Sequence, residues 1–125
     1  MLIELPYPPS VNHYYRHVGQ RVLISREGRL YREKVGATLA RWGVSPLAGP
    51  LATVIDVYPP DRRRRDLDNV QKALLDALQQ GGAYQDDSQI TQLAARKCEP
   101  MDQGKVLVRV ESLPICFCPM CGRNY

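Results

Sequence analysis

Residues 61–78 read DRRRRDLDNVQKALLDAL. From Asp68 onward the apolar residues Val70, Leu74, Ala77 and Leu78 recur at helical spacing on one face. The stretch therefore predicts a helix from about Asp68 to Gln80 with that face buried, ended at Gly81-Gly82 by a left-handed cap. On the opposite face Lys72 lies one turn past Asp68, and Asp76 one turn beyond Lys72. Just upstream, LATVIDVYPP (51–60) reads as a strand closed by two prolines. A strand, a loop of arginines and then an amphipathic helix make the centre of the chain α/β.

Working outward, LIELP (2–6) predicts a short strand. YPPSVNHYYR (7–16) reads as a turn-rich loop whose prolines and Asn12 exclude helix. VLIS (22–25) is a candidate second short strand. Ser25 is a good N-cap, and Tyr31, Val35, Leu39 and Trp42 predict one apolar face of a helix running to about Trp42. GVSPLAGP (43–50) is a loop. SQITQLAARKC (88–98) and KVLVRVESL (105–113) read as two further strands, with EPMDQG (99–104) joining them as a hairpin loop. The element order is β-(β)-α-β-α-β-β, with two main helices. Residues 1–113 read as one domain, and 114–125 as a cysteine-rich tail of different composition.

The 125 residues are 44% hydrophobic and 24% charged, an ordinary globular composition with room for a single core. No apolar run approaches the ~18 residues that span a membrane. The opening MLIELPYPPS has neither the basic region nor the apolar region of a secretory signal. The expected location is therefore the cytoplasm. Net charge is +4, and 13 of the 17 basic residues are arginine, which suits forked contacts to phosphate. If acids are committed to a metal, the remaining surface is more basic than the net charge implies, which favours a polyanionic partner.

Asp66 and Asp68 stand two apart where extended chain would run into the helix. At that spacing extended side chains point the same way, so both carboxylates can address one point. A bland alternative is capping: Asp68 with Gln71 resembles a capping box. Capping explains neither Asp66 nor the Arg62, Arg63, Arg64, Arg65 block. A second acidic pair, Asp86-Asp87, reads either as a turn before a strand or as the source of a third carboxylate. Three carboxylates suit an all-oxygen site for magnesium or manganese. Arginines holding phosphate, carboxylates holding metal and Lys72 adding positive charge together describe metal-dependent phosphodiester hydrolysis. Tyr15 and Arg16, with Tyr14, are candidates for stacking on or binding DNA.

PYPPSVNHYYRH, PPDRRRRDLDNVQKALLDAL and YQDDSQI, in this order and spacing, resemble the RusA family of Holliday junction resolvases over essentially residues 1–112. The resemblance implies a small α/β homodimer with a mixed sheet and helices. It implies a magnesium- or manganese-dependent endodeoxyribonuclease that nicks a four-way DNA junction symmetrically in recombination and repair. Family members often come from phages or prophages, and the site of action would be the bacterial nucleoid. The family's essential aspartates fall on Asp66, Asp68 and Asp87, and its essential lysine on Lys72.

The tail departs from that pattern. CPMCG (118–122) looks like a zinc knuckle, with Cys118 and Cys121 as ligands, Cys116 as a third, and Cys98, a histidine or a second chain completing the site. The rival readings are a nuclease for flaps or other branched DNA, and a non-catalytic nucleic-acid-binding module with a structural zinc.

Overall fold

A computed structural model describes residues 1–113. The elements are β1 (Leu2–Pro6), α1 (Val11–Tyr14), β2 (Tyr15–Val18), β3 (Arg21–Ile24), α2 (Arg26–Arg41), β4 (Leu51–Tyr58), α3 (Asp68–Gln80), a 3-10 turn (Asp87–Gln89), β5 (Ile90–Lys97) and β6 (Lys105–Ser112). Four strands form a mixed sheet in the order β1-β6-β4-β5. β6 runs antiparallel to both β1 and β4, while β5 runs parallel to β4. β4-α3-β5 is thus a strand-helix-parallel-strand crossover.

The alternation in β4 sends Leu51, Thr53, Ile55 and Val57 into the core. Val106, Val108 and Val110 of β6 and Ile3 and Leu5 of β1 point the same way. They meet Tyr31, Val35 and Leu39 of α2 and Val70, Ala73, Leu74, Ala77 and Leu78 of α3. Both long helices therefore cover one face of the sheet. The α3 stripe is the one its periodicity predicts, with Ala73 added. Gly82, at φ +93°, supplies the left-handed residue after the helix, and Ala83 N–H then reaches back to the Leu78 carbonyl at 2.9 Å.

Ser25 caps α2 as expected: its Oγ accepts from Gly28 N–H at 2.9 Å. The same hydroxyl lies 2.9 Å from the Tyr14 carbonyl, which also accepts from Ser25 N–H. A side chain at Gly28 would place its Cβ 2.4 Å from that carbonyl oxygen, so the contact between α1 and α2 requires glycine here.

Four expectations are corrected. EPMDQG is not a β-hairpin loop: β5 and β6 flank β4 on opposite edges. The α3 crossover delivers β5 to one edge of β4, and the following loop carries the chain across the end of β4, held by Cys98 N–H to Val57 and Met101 N–H to Pro59. The 7–16 stretch contains one helical turn, because Pro8 and Pro9 precede the cap position Ser10 and leave Val11–Tyr14 free of proline. Residues 15–18 form a strand, paired with β3 across a two-residue turn with Gly19 at φ +61°. Trp42 is 71% exposed, because the helix ends at Arg41 and Trp42 leaves the apolar face.

Candidate active site

The arginine loop and the start of α3 share one end of the molecule. Asp61 folds the loop back on itself. It accepts from Arg63 N–H at 3.0 Å and from Arg65 at 3.2 Å (Nε) and 2.9 Å (Nη2). The Arg65 hydrogen bonds hold its carboxyl below the usual aspartate range. Lys97, at the end of β5, donates to the Arg65 carbonyl and ties the loop to the sheet. Arg62, Arg63 and Arg64 stay exposed, while Arg65 turns inward with its guanidinium 5.7 Å from the centre of the Tyr7 ring.

Asp66 and Asp68 are both exposed. Of the nearby arginines, Arg62 pairs with Glu99, and Arg63 and Arg65 with Asp61, while Arg64 has no acidic partner among the described residues. The geometric reason for expecting the two carboxylates to align does not hold, since Leu67 between them is already helical at φ −61°, ψ −38°. Asp68 is also not the cap. Leu67 occupies that position without a side-chain bond, and the first turn closes through Asn69 N–H to Asp66 O and Val70 N–H to Leu67 O. The capping alternative for Asp68 therefore has no bond to account for it. Asp66 lines a cleft of about 330 Å³ with Tyr7, Ser10, Arg64, Arg65, Asn69 and Val70.

Asp86 is the real cap. It accepts from Ser88 N–H at 2.9 Å and forms a capping box with Gln89, so its carboxyl is held below the usual range by that backbone bond. Asp87 is left unused by the box. Its own N–H donates to Gln79 Oε1 at 2.9 Å, which fixes it beside the last turns of α3. Asp68 opens the same helix. Among the described residues no three histidine, cysteine or acidic side chains stand close enough to form a ready-made metal cluster. In kind, the donors suit a hard cation: Asp66, Asp68 and Asp87 offer carboxylate oxygens without an arginine partner among the described residues.

Lys72 is exposed on the same side. Asp76, the next acid on that face, is occupied: Arg32 of α2 holds it at 2.7 Å, and the Tyr14 hydroxyl donates to the same oxygen. Burial first, then the bond to Asp76, push the Tyr14 phenol well above its ordinary value. Tyr14 is fully buried and so is a packing residue. Tyr15 packs edge-on against it at 4.9 Å and is half-buried; burial, then the field of Asp76, raise its phenol. Arg16 is exposed on β2, with His17 beside it. Two features of this end of the molecule escaped the sequence: the Arg32–Asp76 pairing and the Tyr7–Asn69 cleft. Each joins residues far apart in the chain, and the one local hint was the polar face that Lys72 and Asp76 share.

The sequence profile described as Endodeoxyribonuclease RusA matches residues 6–111. The chain belongs to the RusA family. RusA relatives named crossover junction endodeoxyribonuclease RusA include those of Escherichia coli strain K12, 39% identical over 112 residues, and of Enterobacteria phage 82, 40% identical over 112 residues. A third, from Shigella sonnei strain Ss046, is 40% identical. In each case the match covers 89% of this chain and 93% of the relative. The RusA match takes in Asp66, Asp68, Lys72 and Asp87 and stops short of the tail.

Cys116, Cys118 and Cys121 lie outside the described residues. Cys98 is half-buried at the far end of the sheet, beside Val57, whereas Leu113 bonds to Pro50 at the opposite end of β4. Seven residues of strand, about 23 Å, separate the two places.

Proposed function

We propose that this chain is a metal-dependent endodeoxyribonuclease that resolves four-way DNA junctions by paired nicks. The observation that carries the reading is the pair of exposed carboxylates, Asp66 and Asp68, at the mouth of α3 directly beside the exposed arginines Arg62, Arg63 and Arg64. Family membership supports it, because the relatives are named for junction cleavage.

In this reading Arg62–Arg64 bind backbone phosphates and set the strand across the start of α3. Asp66, Asp68 and Asp87 would hold magnesium or manganese, which supplies a Lewis acid and a bound water of lowered pKa. Lys72, one turn into α3, places a point charge against the phosphoryl oxygens where negative charge grows. Tyr15 and Arg16 extend the DNA-binding surface along β2. Arg32 removes the charge of Asp76 from the same side, which leaves the remaining acids as the ligand set.

Symmetric nicking needs two such sites in fixed relation, so the active form is read as a twofold dimer. The sheet supports this, since among the described residues its face away from the helices is uncovered and carries Leu2, Val54 and Leu107. Residues 1–113 are read as the nuclease domain, acting on bacterial DNA in the cytoplasm, and 114–125 as a separate tail. The Cys118–Cys121 spacing supports a zinc knuckle there, with Cys116 as a third ligand and Cys98, a histidine or a second chain completing it. Among the described residues no helix is long and apolar enough to cross a membrane.

The decisive experiment is cleavage of a mobile four-way junction with magnesium, beside a linear duplex and a flap. Paired symmetric nicks confined to the junction are expected. Preferential flap cutting would replace this reading with that of a general branched-DNA nuclease, and no cutting of any substrate would leave a binding module.

A further inference from the structure

We infer that the ribbon formed by β2 and β3 lies on a duplex arm of the DNA, outside the crossover, with Arg16 and Arg21 on backbone phosphates of that arm. The inference deepens the nuclease reading and rests on it for the position of the cut. Residues 16–23 are exposed without interruption, so beyond its root neither face of the ribbon is covered by the described residues. The two strands pair only with each other. A lone two-stranded hairpin is marginal in water, and this one is fastened at both ends of its root. Before β2, the Tyr14 hydroxyl donates to Asp76 of α3 and accepts from Arg32 Nε of α2 at 2.9 Å. After β3, Ser25 N–H donates to the Tyr14 carbonyl at 2.9 Å while its side chain caps α2.

Charge names the occupant. None of the chain's 13 acids falls between Glu4 and Glu27, whereas His13, Arg16, His17, Arg21 and Arg26 all do. Arg32, Arg62, Arg65 and Arg96 each hold an acid; Arg16 and Arg21 have no acidic partner among the described residues. The register sets Arg16 opposite Leu23 and Val18 opposite Arg21. Opposed residues share a face, so the two arginines stand diagonally on one face, with Val18 and Leu23 completing it. Tyr15 and Ile24 lie on the other face, which turns toward the core at the root. Two unpaired guanidinium forks with two exposed apolar side chains between them suit phosphates and sugars, the sequence-independent parts of a duplex. The root also sets the distance. Asp76, which Tyr14 holds, is one turn past Lys72, about 6 Å along the helix. The four residues of β2 reach about 14 Å farther at 3.4 Å each. At a rise of about 3.4 Å per nucleotide, the contacted phosphates lie at most about six nucleotides from the cut.

The test uses the full-length protein and a four-way junction carrying one neutral methylphosphonate, moved stepwise from the crossover out along each arm. Binding is followed by fluorescence anisotropy without added divalent ion, for the wild type, Arg16→Ala and Arg21→Ala. Both side chains are exposed, so the variants should keep the wild-type urea midpoint. At one or two arm positions the neutral linkage should weaken wild-type binding about tenfold, the range of a hydrogen bond to a charged group. At one of those positions the penalty should fall below about twofold in the matching variant. Each variant should also lower the log-log salt slope of junction binding by about 0.9. Penalties of equal size in all three proteins, or an unchanged salt slope in both variants, would overturn the arm contact. Coupling confined to the nucleotides of the crossover itself would also overturn it, because the ribbon would then sit at the branch point. So would a change in sedimentation of the variants with the DNA couplings absent, which would give the ribbon to a second copy of the chain. A protein with coupled arm phosphates that cuts no junction keeps the arm contact and loses the nuclease reading. One that cuts junctions without any such coupling loses the arm contact alone.

Discussion

Arg32 on α2 and Asp76 on α3 meet at 2.7 Å, and the Tyr14 hydroxyl closes on the same carboxylate oxygen. Their side chains are 29% and 17% exposed, so this pair is sheltered well beyond an ordinary surface ion pair. It fastens α1, α2 and α3 together and cancels one negative charge beside Lys72. Arg32→Ala would leave Asp76 half-buried with the Tyr14 hydroxyl but no counter-charge. A loss of about 2 kcal/mol is expected in urea unfolding, between the cost for an exposed pair and that for a fully buried one. Asp76→Asn keeps a hydrogen-bonding partner for Arg32 and should cost less. Equal stability of Arg32→Ala and wild type would show that the contact contributes nothing to the fold.

Where local periodicity decides, sequence and structure agree, except at Trp42, which falls just past the end of α2. The α3 stripe, the alternation of β4 and the Ser25 cap each depend on residues within a few positions of one another. What escaped the sequence depends on distant partners. Nothing in EPMDQG announces that β4 will separate β5 from β6. Nothing near Asp76 announces that Arg32, on another helix, neutralises it. The acidic clusters show the same division. Asp66, Asp68 and Asp87 stand out by type and by resemblance, yet the bond that fixes Asp87 beside α3 comes from the side chain of Gln79. Asp86 and Asp87 are adjacent and look equivalent, and the capping box with Gln89 separates them.

Thr53 is a core position filled by a polar residue. It is 1% exposed, and its hydroxyl has no hydrogen-bond partner among the described residues. Thr53→Val keeps the branched shape and removes the unpaired group. Stability should rise by about 1 kcal/mol, read as a higher urea midpoint at unchanged slope. A loss of stability would mean that the hydroxyl is satisfied in solution.

The arginine block divides into two roles. Arg62, Arg63 and Arg64 are exposed, while Arg65 is bound to Asp61. Replacing two of the first three by alanine should flatten the salt dependence of junction binding by roughly 0.9 log-log units for each lost phosphate contact. Arg65→Ala should instead loosen the loop, seen as faster proteolysis between residues 60 and 67. A wild-type salt slope after loss of two exposed arginines would leave them as a solvated loop.

In the proposed reading the carboxylates carry the chemistry, and each can be tested separately. Asp66→Asn, Asp68→Asn and Asp87→Asn preserve size and remove one charge each. Each should lower junction cleavage by about a thousandfold or more at saturating magnesium, the scale on which removing a transition-state contact acts. Junction binding should survive, or tighten, because a carboxylate that repels phosphate has gone. Lys72→Ala should also lose cleavage but gain no affinity, since it removes an attractive charge. Asp86→Asn is the internal control: asparagine caps as well as aspartate, so the box with Gln89 persists and cleavage should stay near wild type. Asp68 cannot hide behind the same argument, because Leu67 holds the cap position and no side-chain bond ties Asp68 to the first turn. Full activity in Asp68→Asn would therefore remove it from the metal site, and inactivity of Asp86→Asn alongside active Asp87→Asn would exchange the roles of the two neighbours.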